Sequence, residues 1–314
     1  MSRKNAVRVT FLAVALILLV VAVVREREAL SDALARMSWG QVAGATALVL
    51  VGLAAQMLSW RALFTGSEVG TLPLRAAGRI YFVGQLGKYV PGSVWAVVAQ
   101  ADLGRDHKIS RARSAVVALA ALVVLVVVGV AVGVVALWAG SGTSIGAYWW
   151  TALVAVAGLV VLWPRVLGRL VGIAMRTLRR TGPVPTLTSG GIVRSAAWAV
   201  VMWAAFGAHA WLLADGLHDG GWGAAVTLGG AYALAWVVGF VIVIAPAGAG
   251  PREVAFVLLA AAVLGRPDAL LVALVSRALM VAGDAVAAAA FLGRRGLPRT
   301  AGLADGGASD PERA

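Results

Sequence analysis

Residues 114–138 read Ser-Ala-Val-Val-Ala-Leu-Ala-Ala-Leu-Val-Val-Leu-Val-Val-Val-Gly-Val-Ala-Val-Gly-Val-Val-Ala-Leu-Trp, without one ionisable side chain. A bilayer core takes about 20 helical residues to cross, and this run is long enough. It is continuous rather than alternating, which excludes the strand of a membrane barrel. Further long, mostly apolar runs occupy 9–24, 40–60, 147–163, 195–214, 224–244 and 269–292. Over the 314 residues, 61% are hydrophobic and 13% charged, and the mean hydropathy is +0.90. The expected fold class is all-α, a polytopic helical membrane protein.

Charge orients the spans. Arg105, Lys108, Arg111 and Arg113 make one connection basic, and Arg165, Arg169, Arg176, Arg179, Arg180 and Arg194 another. Arg294, Arg295 and Arg299 make the C-terminal tail basic, whereas 139–146 and 215–223 hold no Lys or Arg. The positive-inside rule places the basic group in the cytoplasm and predicts about eight crossings of the cell membrane, with both termini cytoplasmic. The first run follows Arg3, Lys4 and Arg8 and precedes Arg25-Glu26-Arg27-Glu28 instead of a small-x-small cleavage site, so it reads as a retained helix. The expected organisation is one integral membrane domain over 1–293 and a disordered basic tail over 294–314. Within it, Arg165, Arg169, Arg176 and Arg180 share one helical face of 164–181, and Leu167, Leu170, Val171, Ala174 and Leu178 another. That pattern fits an interfacial helix, or equally a solvated extension of the preceding span.

Two Pro-Gly segments interrupt the apolar pattern: Lys88-Tyr89-Val90-Pro91-Gly92-Ser93-Val94-Trp95 and Ala245-Pro246-Ala247-Gly248-Ala249-Gly250-Pro251-Arg252-Glu253. Paired broken segments in two halves of a chain point to a transporter-type binding site. The loop charges require 80–101 to enter and leave on one face, as a re-entrant hairpin. They require 246–264, too short to cross alone, to help complete a crossing. Leu103-Gly104-Arg105 and Leu264-Gly265-Arg266 follow the two segments, a repeat too short to separate from chance.

The second segment carries a helix start: Gly250 as N-cap, Pro251 at the first helical position and Glu253 at the third. A helix N-terminus opening inside a membrane offers free N–H groups and a positive dipole end to a phosphate or carboxylate, and Arg252 adds a full charge. In the first segment Ser93 is the expected N-cap of a half-helix running to about Leu103, with Lys88 before the bend and Tyr89 and Trp95 beside it. Arg277 and Asp284 lie two turns apart on one face of the last span, at a depth where ionisable groups normally face an interior cavity. The pair is too far apart to be its own partner, and Glu253 is the candidate for Arg277. Pro246 and Gly248 complete the expected substrate-binding set. His209 and Gln56 read as packing residues.

Several chemistries are excluded. There is no cysteine, hence no disulfide, thiolate metal site or cysteine nucleophile. His107, His209 and His218 are too scattered for a metal site, and no cofactor is expected. No phosphate-binding P-loop, dinucleotide fingerprint, H-E-x-x-H or nucleophile elbow occurs. The net charge of +13 lies in short loops beside apolar runs, which suits lipid headgroups and not nucleic acid.

On Gly87 to Gly92 followed by a basic loop, and on Pro246-x-Gly248-x-Gly250-x-x-Glu253 followed by Arg277, the chain resembles the lysylphosphatidylglycerol synthase transmembrane-region family, a flippase-like membrane domain. The resemblance covers about residues 10 to 292. It implies broken helices around a lipid-headgroup cavity and movement of lipids or lipid-linked sugars between leaflets. Ser93-Val94-Trp95 stands where the family often has charged residues. The soluble aminoacyl-transferring domain is not expected here, so the chain should not make lysylphosphatidylglycerol.

The leading expectation is therefore a translocase, not an enzyme, for a phosphate-bearing lipid, with membrane lipids as partners: an anionic phospholipid or a polyprenyl-phosphate-linked substrate. Two alternatives stand beside it. One is a scaffold packed through Gly129 and Gly133. The other is a polyprenyl-linked glycosyltransferase using Glu26, Glu28 and Asp32.

Overall fold

The structure is a computed structural model describing residues 31, 32, 35, 37–64, 72–89, 95–140, 150–177, 186–217, 220–242 and 250–292. Among them the chain is helical, with no β-strand. The helices are α1 (Trp39–Ala62), α2 (Leu74–Gly78), α3 (Trp95–Arg105), α4 (Arg111–Gly140), α5 (Trp150–Leu162), α6 (Pro164–Thr177), α7 (Ser189–Ala214), α8 (Trp222–Val241), α9 (Pro251–Leu264) and α10 (Arg266–Leu292). Five of them, α1, α4, α7, α8 and α10, are long and apolar enough to cross a membrane. They correspond to five of the seven expected spans. The run at 9–24 and the tail at 294–314 lie outside the described residues. The α5 helix covers only 150–162 of the expected 147–163. Residues 147–149 of that run lie outside the described residues.

Local sequence sets where the helices begin. Ser38 Oγ accepts from the Gln41 backbone N–H at 3.2 Å, and Gln41 Oε1 accepts from the Ser38 N–H at 2.7 Å, a capping box that opens α1. Thr188 caps α7 through the Gly191 N–H at 3.2 Å.

Small residues then let the spans approach. A Cβ on Gly52 of α1 would lie 2.2 Å from the Phe206 ring of α7, so only glycine fits at that crossing. Two turns further along, Ser59 Oγ donates to the Ser195 carbonyl at 2.8 Å, which makes α1 and α7 antiparallel. Gly129 and Gly133, the pair read as a packing motif, serve the interior of the same chain. Gly129 faces Trp203 of α7, and Gly133 faces Leu234 and the Gly230 carbonyl of α8.

The first broken segment is more helical than its Pro-Gly content suggests. The α2 helix runs on into a π-turn over Arg79–Val83 and a 3-10 turn over Leu86–Tyr89. The α3 helix packs beside it: a Cβ on Gly84 would meet Gln100 Cγ at 2.5 Å. Both ends of this unit meet the same end of the bundle. Arg61 Nε, at the end of α1, donates to the Leu72 carbonyl at 2.6 Å. Arg113, at the start of α4, donates to the carbonyls of Leu63 at 3.2 Å and Thr186 at 2.7 Å.

Candidate functional site

The last span, α10, receives both broken segments. Nearer its start, Arg277 Nη1 lies 3.4 Å from Glu253 Oε1 of α9. Two turns on, Asp284 Oδ2 lies 2.6 Å from Lys88 Nζ and accepts from the Tyr89 hydroxyl at 2.5 Å. Phe82 stacks on Phe291 with ring centroids 5.4 Å apart, which holds the first segment along the final turns. Arg277 stands about 16 Å along α10 from its first residue, at mid-span. The Arg277–Glu253 pair is the one expected from sequence. The partners of Asp284 were not, although Lys88 and Tyr89 were both candidates for the site.

The α9 terminus is built as its sequence indicates. Gly250 has φ +92°, a backbone state open to glycine and strained for any L side chain, and Pro251 follows at the first helical position. Glu253 Oε2 accepts from the Gly250 N–H at 2.7 Å, so this carboxylate both closes the helix end and faces Arg277. The N–H groups of Arg252 and Glu253 still have no acceptor within the helix. Arg252 turns to Tyr232 of α8: its Nη2 hydrogen-bonds the phenol, and its guanidinium carbon sits 4.7 Å from the ring centroid.

Behind Tyr232 the polar contacts continue inward. Ser276 Oγ lies 3.4 Å from the Tyr232 hydroxyl and 2.8 Å from His209 Nε2, while His209 Nδ1 meets the Phe206 carbonyl. A carbonyl only accepts, so Nδ1 carries the proton and Nε2 takes one from the Ser276 hydroxyl. His209 is 0% exposed, and its ring meets Tyr232 edge-on at 4.7 Å. It was expected as a packing residue. Here it also ends a chain of hydrogen bonds leading to Arg252. Gln56, the other packing candidate, is buried in α1.

Tyr232 and Ser276 were missed. Each is an uncharged polar residue inside an apolar span, and a single hydroxyl carries no periodic signal. The position of Ser276 beside Arg277 was the one available hint. Pro91, Gly92, Ser93, Pro246 and Gly248 lie outside the described residues, as do Glu26 and Glu28.

Tyr232, Arg252, Glu253, Phe256, Ser276 and Arg277 line a cavity of about 10 Å³, room for one water. Formal charge in the assembled site is uneven: Lys88, Arg252 and Arg277 face Glu253 and Asp284. Among the described residues Arg252 is held by the Tyr232 phenol and makes no salt bridge to a carboxylate. No group of three His, Asp or Glu able to hold a metal ion occurs among them.

A family profile described as Lysylphosphatidylglycerol synthase TM region matches residues 10–304. The chain belongs to this family. It is thus a multi-pass helical membrane protein of a family linked to lipid handling. Searches of curated proteins and of solved structures gave no match. The matched profile is that of the membrane region, and it takes in both broken segments and α10.

Proposed function

We propose that the chain moves a phosphate-bearing lipid, or a lipid-linked intermediate, between the two leaflets. One observation carries this reading: at membrane depth, the N-terminus of α9 and the Arg252 guanidinium present more positive charge than the neighbouring carboxylates neutralise. Uncompensated positive charge in an apolar interior is costly. A site that keeps it matches an anionic guest that arrives without its water. A phosphate suits both donors, since a guanidinium binds it in a fork and a helix N-terminus binds it through backbone N–H groups.

With room for about one water, the cavity is too small to hold a headgroup in this arrangement. A headgroup enters only when α9 withdraws from α8 and α10. The contacts to be exchanged are then Arg252 with Tyr232 and Arg277 with Glu253, and a phosphate replaces both partners. The lipid tails remain in the bilayer. Chemistry on the lipid is not part of this reading, so the chain acts as a transporter and not as an enzyme. The basic connections at 102–113 and 164–181 orient it with both termini in the cytoplasm and the cell membrane as its location. The scaffold alternative loses its main support, because Gly129 and Gly133 are occupied by α7 and α8 of the same chain.

The test is reconstitution in vesicles with headgroup-labelled anionic and zwitterionic phospholipids, followed by an impermeant quencher. Protection of the anionic label is lost faster with wild type than with Arg252→Ala, Glu253→Gln or no protein. Equal rates in all four preparations, repeated with a polyprenyl-phosphate probe, would overturn the proposal.

A further inference from the structure

The geometry points to a second lipid-binding surface, on α6, which takes the headgroups of anionic phospholipids from the leaflet it lies in. The chain bends by 71° between 156–162 and 164–176, so α6 turns sharply away from the direction of α5. Its residues then divide into three sectors, not the two expected from sequence. Leu167, Val171 and Met175, one turn apart, are buried and form part of the protein core. Leu170 and Ile173 point outward and are 41% and 52% exposed, beside Trp163 at 59%. Arg165, Arg169 and Arg176 make the third sector, all exposed. The helix contains no acidic residue.

A helix docked by one sector and apolar on a second has one stable setting at a membrane edge. The apolar sector dips among the upper acyl chains, and the adjacent arginines reach the headgroup layer. Trp163 at the bend suits the same depth. Three arginines with no internal counter-charge on the helix then favour lipids with net negative headgroups, each adding attraction that salt screens. The side is also defined. Gly158 of α5 lies against Val127 near the middle of α4, and the chain returns by Thr186 to Arg113 at the start of α4. That places α6 at the basic end of the bundle. This surface is separate from the Arg252 site, and its lipid need not be the one transported.

The absence of cysteine allows a clean measurement on the full chain. A fluorophore on Ile173→Cys is reconstituted in phosphatidylcholine vesicles doped, at equal mole fraction, with phosphatidylglycerol or phosphatidylcholine spin-labelled at a shallow acyl position. Quenching by the phosphatidylglycerol label should exceed that by the phosphatidylcholine label by about threefold or more, falling towards parity at high salt. The same parity is expected in low salt when Arg165, Arg169 and Arg176 are all changed to Gln, while changing all three to Lys preserves the preference. Parity in the unaltered arginine background overturns the proposal, as does a preference unmoved by salt. Absence of quenching by either lipid also overturns it, because the face would then be in water or against another protein.

Discussion

The two broken segments meet the same helix and treat their charges in opposite ways. In the first, Lys88 and Tyr89 both close on Asp284, which is 4% exposed, so the cation is neutralised and the carboxylate satisfied. In the second, Glu253 is divided between the Gly250 N–H and Arg277, and Arg252 rests on the phenol of Tyr232. The first arrangement behaves as a fastener, because every charge has its partner. Under the proposed function the second is the receptor, because the Arg252 guanidinium rests on a phenol and not on a carboxylate. Both are Pro-Gly interruptions in apolar sequence. What separates them is where α10 places a carboxylate.

The contrast is broken most severely at Asp284. Replacing it with Ala strands a partly buried ammonium and should cost about 3–5 kcal/mol, read as loss of thermal stability in detergent. A loss below about 1 kcal/mol would show that the first segment is not fastened there. Prying apart the two arms of that segment comes next. A Gly84→Leu side chain would collide with Gln100, including its backbone nitrogen at 3.2 Å from the new Cβ, and overpacking of this kind costs about 1–3 kcal/mol. Chemical denaturation of the variant measures it, and wild-type stability would mean the arms part freely.

The receptor should respond in the opposite sense, with function falling while stability holds. Arg252→Ala is expected to slow transfer of an anionic lipid about tenfold, equivalent to about 1.4 kcal/mol, with a melting temperature close to wild type. If stability falls and transfer does not, the roles of the two segments are reversed. The smallest effect is expected from Tyr232→Phe. It keeps the ring beneath the guanidinium and removes the hydroxyl joining Arg252 to Ser276, a loss of about 1 kcal/mol. Transfer assays on the double variant with Arg252→Ala sharpen the comparison. The two effects should be less than additive if Tyr232 acts through Arg252.

Much of this was legible in the chain. An unbroken apolar run such as 114–138 has one stable form in a bilayer, since its backbone must satisfy itself, and α4 extends it only to Arg111–Gly140. Gly250-Pro251-Arg252-Glu253 announced its helix start because capping is local: the groups involved lie within one turn. The Glu253–Arg277 pair followed from the cost of isolated charge at depth, which leaves few candidates in a chain so poor in charge. The division of α6 into three sectors was not legible. Periodicity reports an apolar face but not which neighbour covers it, and Leu167 and Leu170 are chemically alike.

Sequence alone therefore determined the membrane class, the position of most long spans, the two interruptions and the cap at Gly250. Each depends on solvation or on hydrogen bonds within a few residues. Only the tertiary structure decided that α10 unites the interruptions, that Asp284 belongs to Lys88 and Tyr89, and that Tyr232, Ser276 and His209 stand behind Arg252. Those contacts join residues from about 20 to nearly 200 positions apart, and close packing of the helices decides which polar groups meet.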